Sequence, residues 1–507
     1  MKFHKVLSIF MVLILTMSLS ACSGTAPIQD SSASTAPVSG DNSKTTPVTL
    51  KYYTIGTPDS DLEKVNKALN ELLEKKINVR IDYSKINWSD YGHILSNTIN
   101  SGTNFDIAFA TEGDQGDYSG NAVKGVWLAL DPYLNTTGKE MYTAIDPLLW
   151  EGVKINEKIF GVPTNKEVAV PEWWMYSKEL VDRYNIDISK YTTLESLEPL
   201  FKLIKQNEPD YTVIELDQYS HNFFALESYE YVLNKDIPLM VKSTDKNLRI
   251  VNIFETETAK KTLSMLRKFY KSGYINEDAA VKLISGLAKD LKVFWREGGG
   301  GPYSTSSWSK DTGYEIVAHQ VSPSIVTTES ARGGIMVVNS RTKYPQECIK
   351  FLNCLNTDPQ VRNLINFGME GEHYELTPEG QVEVKKDSGY TGVQYTQGNW
   401  FILKTLKGDP MNKWDVYKNF NGEAIKSEAL DFTPDVSGTA VSTTLSAVSK
   451  VTAKYYPGLM TGTVDPEKVL PMFINELKAA GIDELKNTLQ QQLNEWKSKK
   501  SAVFKLN

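Results

Sequence analysis

The chain has 507 residues, 41% hydrophobic and 23% charged, with a formal net charge of −7 at pH 7. That is the make-up of a soluble globular protein, and an acidic balance without any basic block argues against nucleic acid or anionic lipid as partners. The length exceeds the roughly 250–300 residues at which a single core stops growing, so at least two lobes are expected.

Lys2 and Lys5 precede an apolar run, Val6–Leu19, which is followed by Leu19-Ser20-Ala21-Cys22. A basic start, a short apolar core and a small-residue cleavage site make a secretory signal over residues 1–21. The run falls short of the roughly 20 residues a permanent spanning helix needs. The small residues ending in Cys22 look like a bacterial lipobox, in which the signal is cut before the cysteine and the thiol is lipidated. Residues 22–46 are rich in Ser, Thr, Ala, Pro and Gly, and such a segment buries too little to order itself. A lipidated Cys22 on a disordered tether is therefore expected to hold the body at the outer face of the membrane.

The folded part opens with a strand over Val48–Ile55. A helix follows at 59–78 with Leu62, Val65, Leu69, Leu72, Leu73 and Ile77 on one face. Alternation at Val79, Ile81 and Tyr83 predicts a second strand, 90–100 a second helix and 105–110 a third strand. Strand, helix, strand, helix, strand is the pattern of a parallel sheet with covering helices, whose loops bind ligands at the carboxyl edge. Further on, Gly161-Val162-Pro163 reads as a crossover, 257–272 as an amphipathic helix, Gly298–Gly301 as a break and 334–339 as a strand of the first lobe's type. Helices are expected at 344–356, 441–455, 465–481 and 483–499. Cys348 and Cys354 sit six residues apart on the first of these. That is about 9 Å of rise and about 240° of turn, too far for a disulfide, so both are expected as apolar thiols.

Nothing local marks a catalyst. The histidines at 4, 93, 221, 319 and 373 form no H-E-x-x-H, no G-x-S-x-G occurs, and the glycine run is not followed by Lys-Ser/Thr. No pair of carboxylates is placed by a local pattern as a glycosidase pair. The acidic loop Thr111–Tyr118 lacks the roughly 12-residue ligand spacing of a Ca²⁺ loop. The expectation is a protein with no catalytic residues, no cofactor and no metal.

Several stretches resemble the extracellular solute-binding proteins of carbohydrate ABC importers. Residues 88–118, WSDYGHILSNTINSGTNFDIAFATEGDQGDY, are similar to that family's aromatic-led helix, small-residue turn and Asp-Ile strand. Residues 128–133, 161–163 and 333–376 resemble its later landmarks in the same order. FGMEGEHYEL, Gly398-Asn399-Trp400 and the tail 457–478 look like the Gram-positive lipoprotein branch with a C-terminal domain of unknown function. The resemblance implies an α/β, two-lobed periplasmic-binding-protein-like fold of the class II type, with a hinge, an interlobe cleft and a helical C-terminal part. It places 47–165 plus 325–365 in lobe one and 166–324 plus 366–507 in lobe two.

The implied ligand is a sugar or oligosaccharide, delivered to the permease subunits of an ABC importer. A sugar offers hydroxyls at its rim and C–H faces above and below, so carboxylates, amides and flat aromatics are wanted. By the resemblance, Asp114 stands where the family binds a hydroxyl, with Glu112 beside it, and Glu167 follows the crossover. Trp173 and Trp174 come next; neighbours on a strand face opposite ways, so one is expected in the cleft and the other in the core. Asp217 with Tyr219 resemble an acid-x-aromatic pair, Tyr303 and Trp308 the cleft aromatics, and Asn399 with Trp400 belong to the branch-specific phrase. A tethered peptide receptor and a surface sensor or adhesin on the same fold are the alternatives.

Overall fold

The computed structural model describes residues 46–219, 223–283 and 291–504. The signal, Cys22, all of the tether except Thr46, and His221 lie outside the described residues.

The first lobe is built on a five-stranded sheet in the order Val79–Ile86, Val48–Ile55, Ile107–Ala110, Ile335–Val338, Gly161–Pro163. Its first three strands are parallel, and the last two run antiparallel to their neighbours. Val79, Ile81 and Tyr83 are buried while Arg80 and Asp82 are exposed, the alternation of a strand covered on one face. Ile107–Ala110 is buried throughout, as its continuous apolar run requires of a strand with helices on both faces. Helix Leu62–Ile77 buries Val65, Leu69 and Leu73 and ends at Asn78, whose left-handed φ of 54° stops it. Cys348 is buried on helix Pro345–Thr357 and Cys354 half-buried; both are free thiols, and burial pushes their pKa values up.

The second lobe has a four-stranded sheet in the order Ile316–Gln320, Glu172–Ser177, Val293–Gly299, Thr212–Ile214. Its core draws on Trp174, Tyr176, Phe201, Leu263, Phe269 and Trp295, and on Val448, Leu459, Phe473, Leu477, Leu489 and Leu493 of the C-terminal helices. Those helices run Thr439–Met460, Pro466–Ala479 and Ile482–Phe504. Among the described residues no helix is long and apolar enough to cross a membrane.

The chain passes between the two cores three times. Val168 and Ala169 belong to the first core and Trp174 to the second; Val326 and Ala331 return to the first; and Leu430 lies in the first while Ala429 and Phe432 lie in the second. The second and third passages pair as short parallel strands, Ile325–Val326 with Ile425–Lys426.

Two expectations change here. Residues 366–406, assigned to lobe two, pack on lobe one. Tyr390 donates to Ile365 O at 2.6 Å, and Thr391 O accepts from Lys85 Nζ at 2.6 Å. Trp400 N donates to Asn165 O at 2.9 Å, and the Tyr52 hydroxyl bonds Gln397. These anchors are single polar contacts with no period, so no sequence pattern announces them. The glycine run, expected to break the chain, is strand as far as Gly299. The glycines serve close approach instead: a Cβ at Gly300 would stand 2.6 Å from the Trp308 ring.

Candidate functional site

Three parallel strands of the first lobe point their carboxyl ends at the region where the chain crosses between lobes. The loop after Ile107–Ala110 is tied by Thr111 N to Gln115 O at 2.8 Å and Asp117 N to Gly113 O at 3.0 Å. Within it Glu112 accepts from the Ser119 hydroxyl and, at 3.0 Å, from Arg332 Nη1. Arg332 is itself buried and donates to Gly152 O, Lys154 O and Thr433 Oγ1, each at 2.8 Å. Glu112 is thus a strut between the loop and the second passage. Asp114, two residues on, is exposed at the loop's tip.

The second lobe meets this edge with aromatic and acidic side chains. Trp173 is half-buried, donates its Nε1–H to Gly300 O at 3.2 Å and stands edge-on to Trp308 at 6.3 Å. Trp174 points the other way, fully buried between Trp295 at 5.7 Å and His319 at 6.1 Å. Of the two tryptophans, Trp174 is core, and no ring face is left for a solute. Tyr303 heads helix Ser304–Thr312 with a left-handed φ of 63°, a costly conformation for a tyrosine. Its ring lies 6.4 Å from Tyr417, which in turn stands 6.0 Å from Trp400.

Trp400 and Asn399 are corrected by the same geometry. Trp400 is 9% exposed, flanked by Trp414 and Tyr417, with Nε1–H on Gln394 O at 2.9 Å. Asn399 donates to Asn356 O at 3.1 Å and accepts from Phe401 N at 2.9 Å and Asn165 Nδ2 at 3.2 Å. Both knit 366–406 onto the first lobe and are spent within the protein. Glu167, half-buried beside Gly301, accepts from Lys166 Nζ at 2.7 Å. Asp217 accepts from Tyr219 N at 2.8 Å in a local turn, and the exposed Tyr219 ring lies under the Lys235 ammonium at 4.5 Å.

Four carboxyl groups missed by the sequence reading converge near the passages. Glu172 opens the strand that enters lobe two and pairs with Gly299, so Glu297, two residues back, shares its face diagonally. Burial, with Glu297 and Glu329 nearby, holds Glu172 well above the usual carboxylate range. Burial pushes Glu230 up to about 7, against the hydroxyl bonds it accepts from Ser427 and Ser243. Glu329 is open to solvent, yet enclosing protein still raises its pKa. Each of these acids stands alone in a strand or short helix (EWWMYS, WREGG, YEY, TESA), so only the fold assembles them.

Among the described residues Asp61, Glu372 and His373 approach metal-ligand spacing. His373 Nδ1 accepts Met369 N–H at 2.8 Å, so a neutral ring carries its proton on Nε2, facing Asp61 at 3.5 Å. That proton occupies the lone pair a cation would need. The trio fastens 366–406 to the first lobe.

Two α/β cores joined by passages of the chain have the two-lobed architecture of solute-binding proteins. Residues 428–498 match a family described as Domain of unknown function (DUF3502). Over 468 residues the chain is 29% identical to a carbohydrate ABC transporter substrate-binding protein of Streptococcus pneumoniae, covering 89% of this chain and 91% of that one. The N-glycan transport solute binding protein NgtS of Streptococcus pneumoniae superposes with a TM-score of 0.81 at 29% identity, over 90% of this chain and 100% of the other. The same protein in complex with Man5GlcNAc gives 0.70 at 29% identity, over 90% and 99%. Over nearly its whole length the chain is thus similar to substrate-binding proteins of carbohydrate ABC transporters.

Proposed function

We propose that this chain is a lipid-anchored receptor on the extracytoplasmic face. It captures an oligosaccharide of the N-glycan kind between its lobes and passes it to the permease subunits of an ABC importer. The observation that carries this reading is the near full-length likeness to NgtS, a protein described as an N-glycan transport solute binding protein. The lipobox at Cys22 and the tether after it support the anchor.

The two TM-scores to NgtS also bear on closure. One sequence superposes at 0.81 in the structure described without a glycan and at 0.70 in the Man5GlcNAc complex, so the difference is one of conformation. This supports an open resting form that closes about the three passages when a glycan enters. The cleft then uses Asp114, Glu172 and Glu329 on hydroxyls, and Trp173, Trp308 and Tyr303 on ring faces.

The test is a thermal-shift and scattering experiment with Man5GlcNAc, Man1GlcNAc and a fructan oligosaccharide. A ligand at 100 times its Kd stabilises the folded state by about 2.7 kcal/mol, and closure should shrink the radius of gyration. No shift with any glycan would overturn the reading; a shift with the fructan alone would move it to another sugar class.

A further inference from the structure

Two aromatic rings outside the predicted site stand at the carboxyl edge of the first lobe's sheet. Trp88 comes two residues after strand Val79–Ile86, and Tyr395 lies in the helical turn Gln394–Thr396. Their ring centroids are 6.0 Å apart, with planes inclined by only 26°. Trp88 is 39% exposed and Tyr395 42%. A single exposed aromatic means little. Two stacked rings that both stay open at the mouth of a cleft have a more specific use.

The backbone beneath them is pinned. Gln394 O accepts from Arg362 Nη2 and Trp400 Nε1, both at 2.9 Å. Thr396 and Gln397 are buried, and Gln397 bonds the hydroxyls of Tyr52 and Tyr83. Val393 lies over the end of the first strand, where a Cβ on Gly56 would stand 2.9 Å from it. Tyr395 O crowds Gly334 in the same way, at 2.8 Å from such a Cβ. Anchored neighbours on both sides, Gln394 through its carbonyl and Thr396 and Gln397 by burial, thus hold out a ring that the core does not need.

The acidic loop abuts the helix that follows Trp88. Helix Tyr91–Ser101 begins three residues after Trp88, and a Cβ on its Gly92 would stand 2.6 Å from Asp114 O. A rigid aromatic plate beside a carboxylate-bearing loop matches a pyranose, which has a C–H face and a rim of hydroxyls.

We propose that Trp88 and Tyr395 form a stacking subsite for one pyranose ring of the bound oligosaccharide, with Asp114 taking hydroxyls of that same ring. The subsite deepens the glycan-receptor reading and rests on it. It makes the 366–406 segment part of the binding wall, because Tyr395 comes from there. It selects sugars that present an uninterrupted C–H face. Because the plate is held before ligand arrives, little ordering entropy is lost on binding.

The experiment is calorimetric titration of the full chain carrying Cys22→Ser with Man5GlcNAc, Man1GlcNAc and a fructan oligosaccharide, each variant also being melted without ligand. Trp88→Ala should weaken binding at least roughly tenfold and Tyr395→Ala by roughly three- to tenfold. Trp88→Phe should keep most of the affinity while losing part of the glycan-induced change in tryptophan fluorescence. Wild-type affinity in both alanine variants overturns the subsite and leaves the glycan reading standing. Trp88→Phe binding as poorly as Trp88→Ala also overturns it, since a flat ring would then not suffice. If the wild-type body binds none of the three glycans, the receptor reading falls and takes the subsite with it.

Discussion

The two walls of the cleft treat charge differently. On the first lobe the carboxylate of Glu112 is tied to Arg332, whose other donors are taken by Gly152 O, Lys154 O and Thr433 Oγ1. On the second, Glu172 and Glu230 are enclosed among other acids and held above the usual carboxylate range, so part of the population is protonated near neutral pH. One wall is a braced surface with its polar groups satisfied. The other keeps carboxyl groups that can either donate to or accept from a hydroxyl. Bracing fixes the first group, whereas the protonation of the second changes near neutral pH.

The sharpest contrast lies between neighbouring tryptophans. Trp174→Ala should cost about 3–5 kcal/mol of stability, as for a fully packed aromatic, visible as a large fall in the ligand-free melting temperature. Trp173→Ala should leave that temperature far less changed and act mainly on glycan affinity. Equal falls for both variants would erase the distinction between core and cleft face.

Asp114→Ala should weaken glycan binding by about 1.5–3 kcal/mol, the range for hydrogen bonds to a charged group, with little effect on melting. Unchanged affinity by calorimetry would remove the loop tip from the site.

The acidic wall can be tested by pH. Glu230 is raised to about 7 in the fold, above the roughly 4.3 of an unfolded glutamate. Between those values the folded state binds the extra proton, so stability falls as pH rises and levels off above about 7. Glu230→Gln should flatten that fall, by on the order of 1–3 kcal/mol across the window. Denaturant melts at pH 5 and pH 8 measure it, and an identical pH slope in the variant counts against a raised carboxyl.

The smallest expected effect on the fold is that of Cys22→Ser, which should free the protein from the membrane fraction without shifting its melting temperature. A variant that still incorporates labelled lipid would end the lipobox reading.

Legibility in the sequence followed periodicity. The helix expected at 59–78, the alternation at Val79–Tyr83 and the strand expected at 105–110 repeat at helix or strand spacing, and they appear as Leu62–Ile77, Val79–Ile86 and Ile107–Ala110, within three residues at each end. The 366–406 segment lacked such a signal. It is attached by directed bonds from Gln397, Asn399, Tyr390 and Thr391, whose partners lie from 25 positions away (Tyr390 to Ile365) to 345 (Gln397 to Tyr52). The site divided along the same line. Asp114, Trp173 and Trp308 lie on elements whose order resembles a family, whereas Glu172, Glu230, Glu297 and Glu329 are isolated letters that the sheets bring together.

By itself, then, the sequence determined the alternation of strands and helices and the two lobes, because these follow from chain length and from a period that one chain segment carries alone. Only the tertiary structure decided which neighbouring tryptophan is core, that Asn399 and Trp400 are spent on packing, and where four acids and two stacked rings meet. Those are questions of which face, which partner and how much water. Their answers depend on groups far apart in the chain, and burial and charge act on them only once the fold has brought them together.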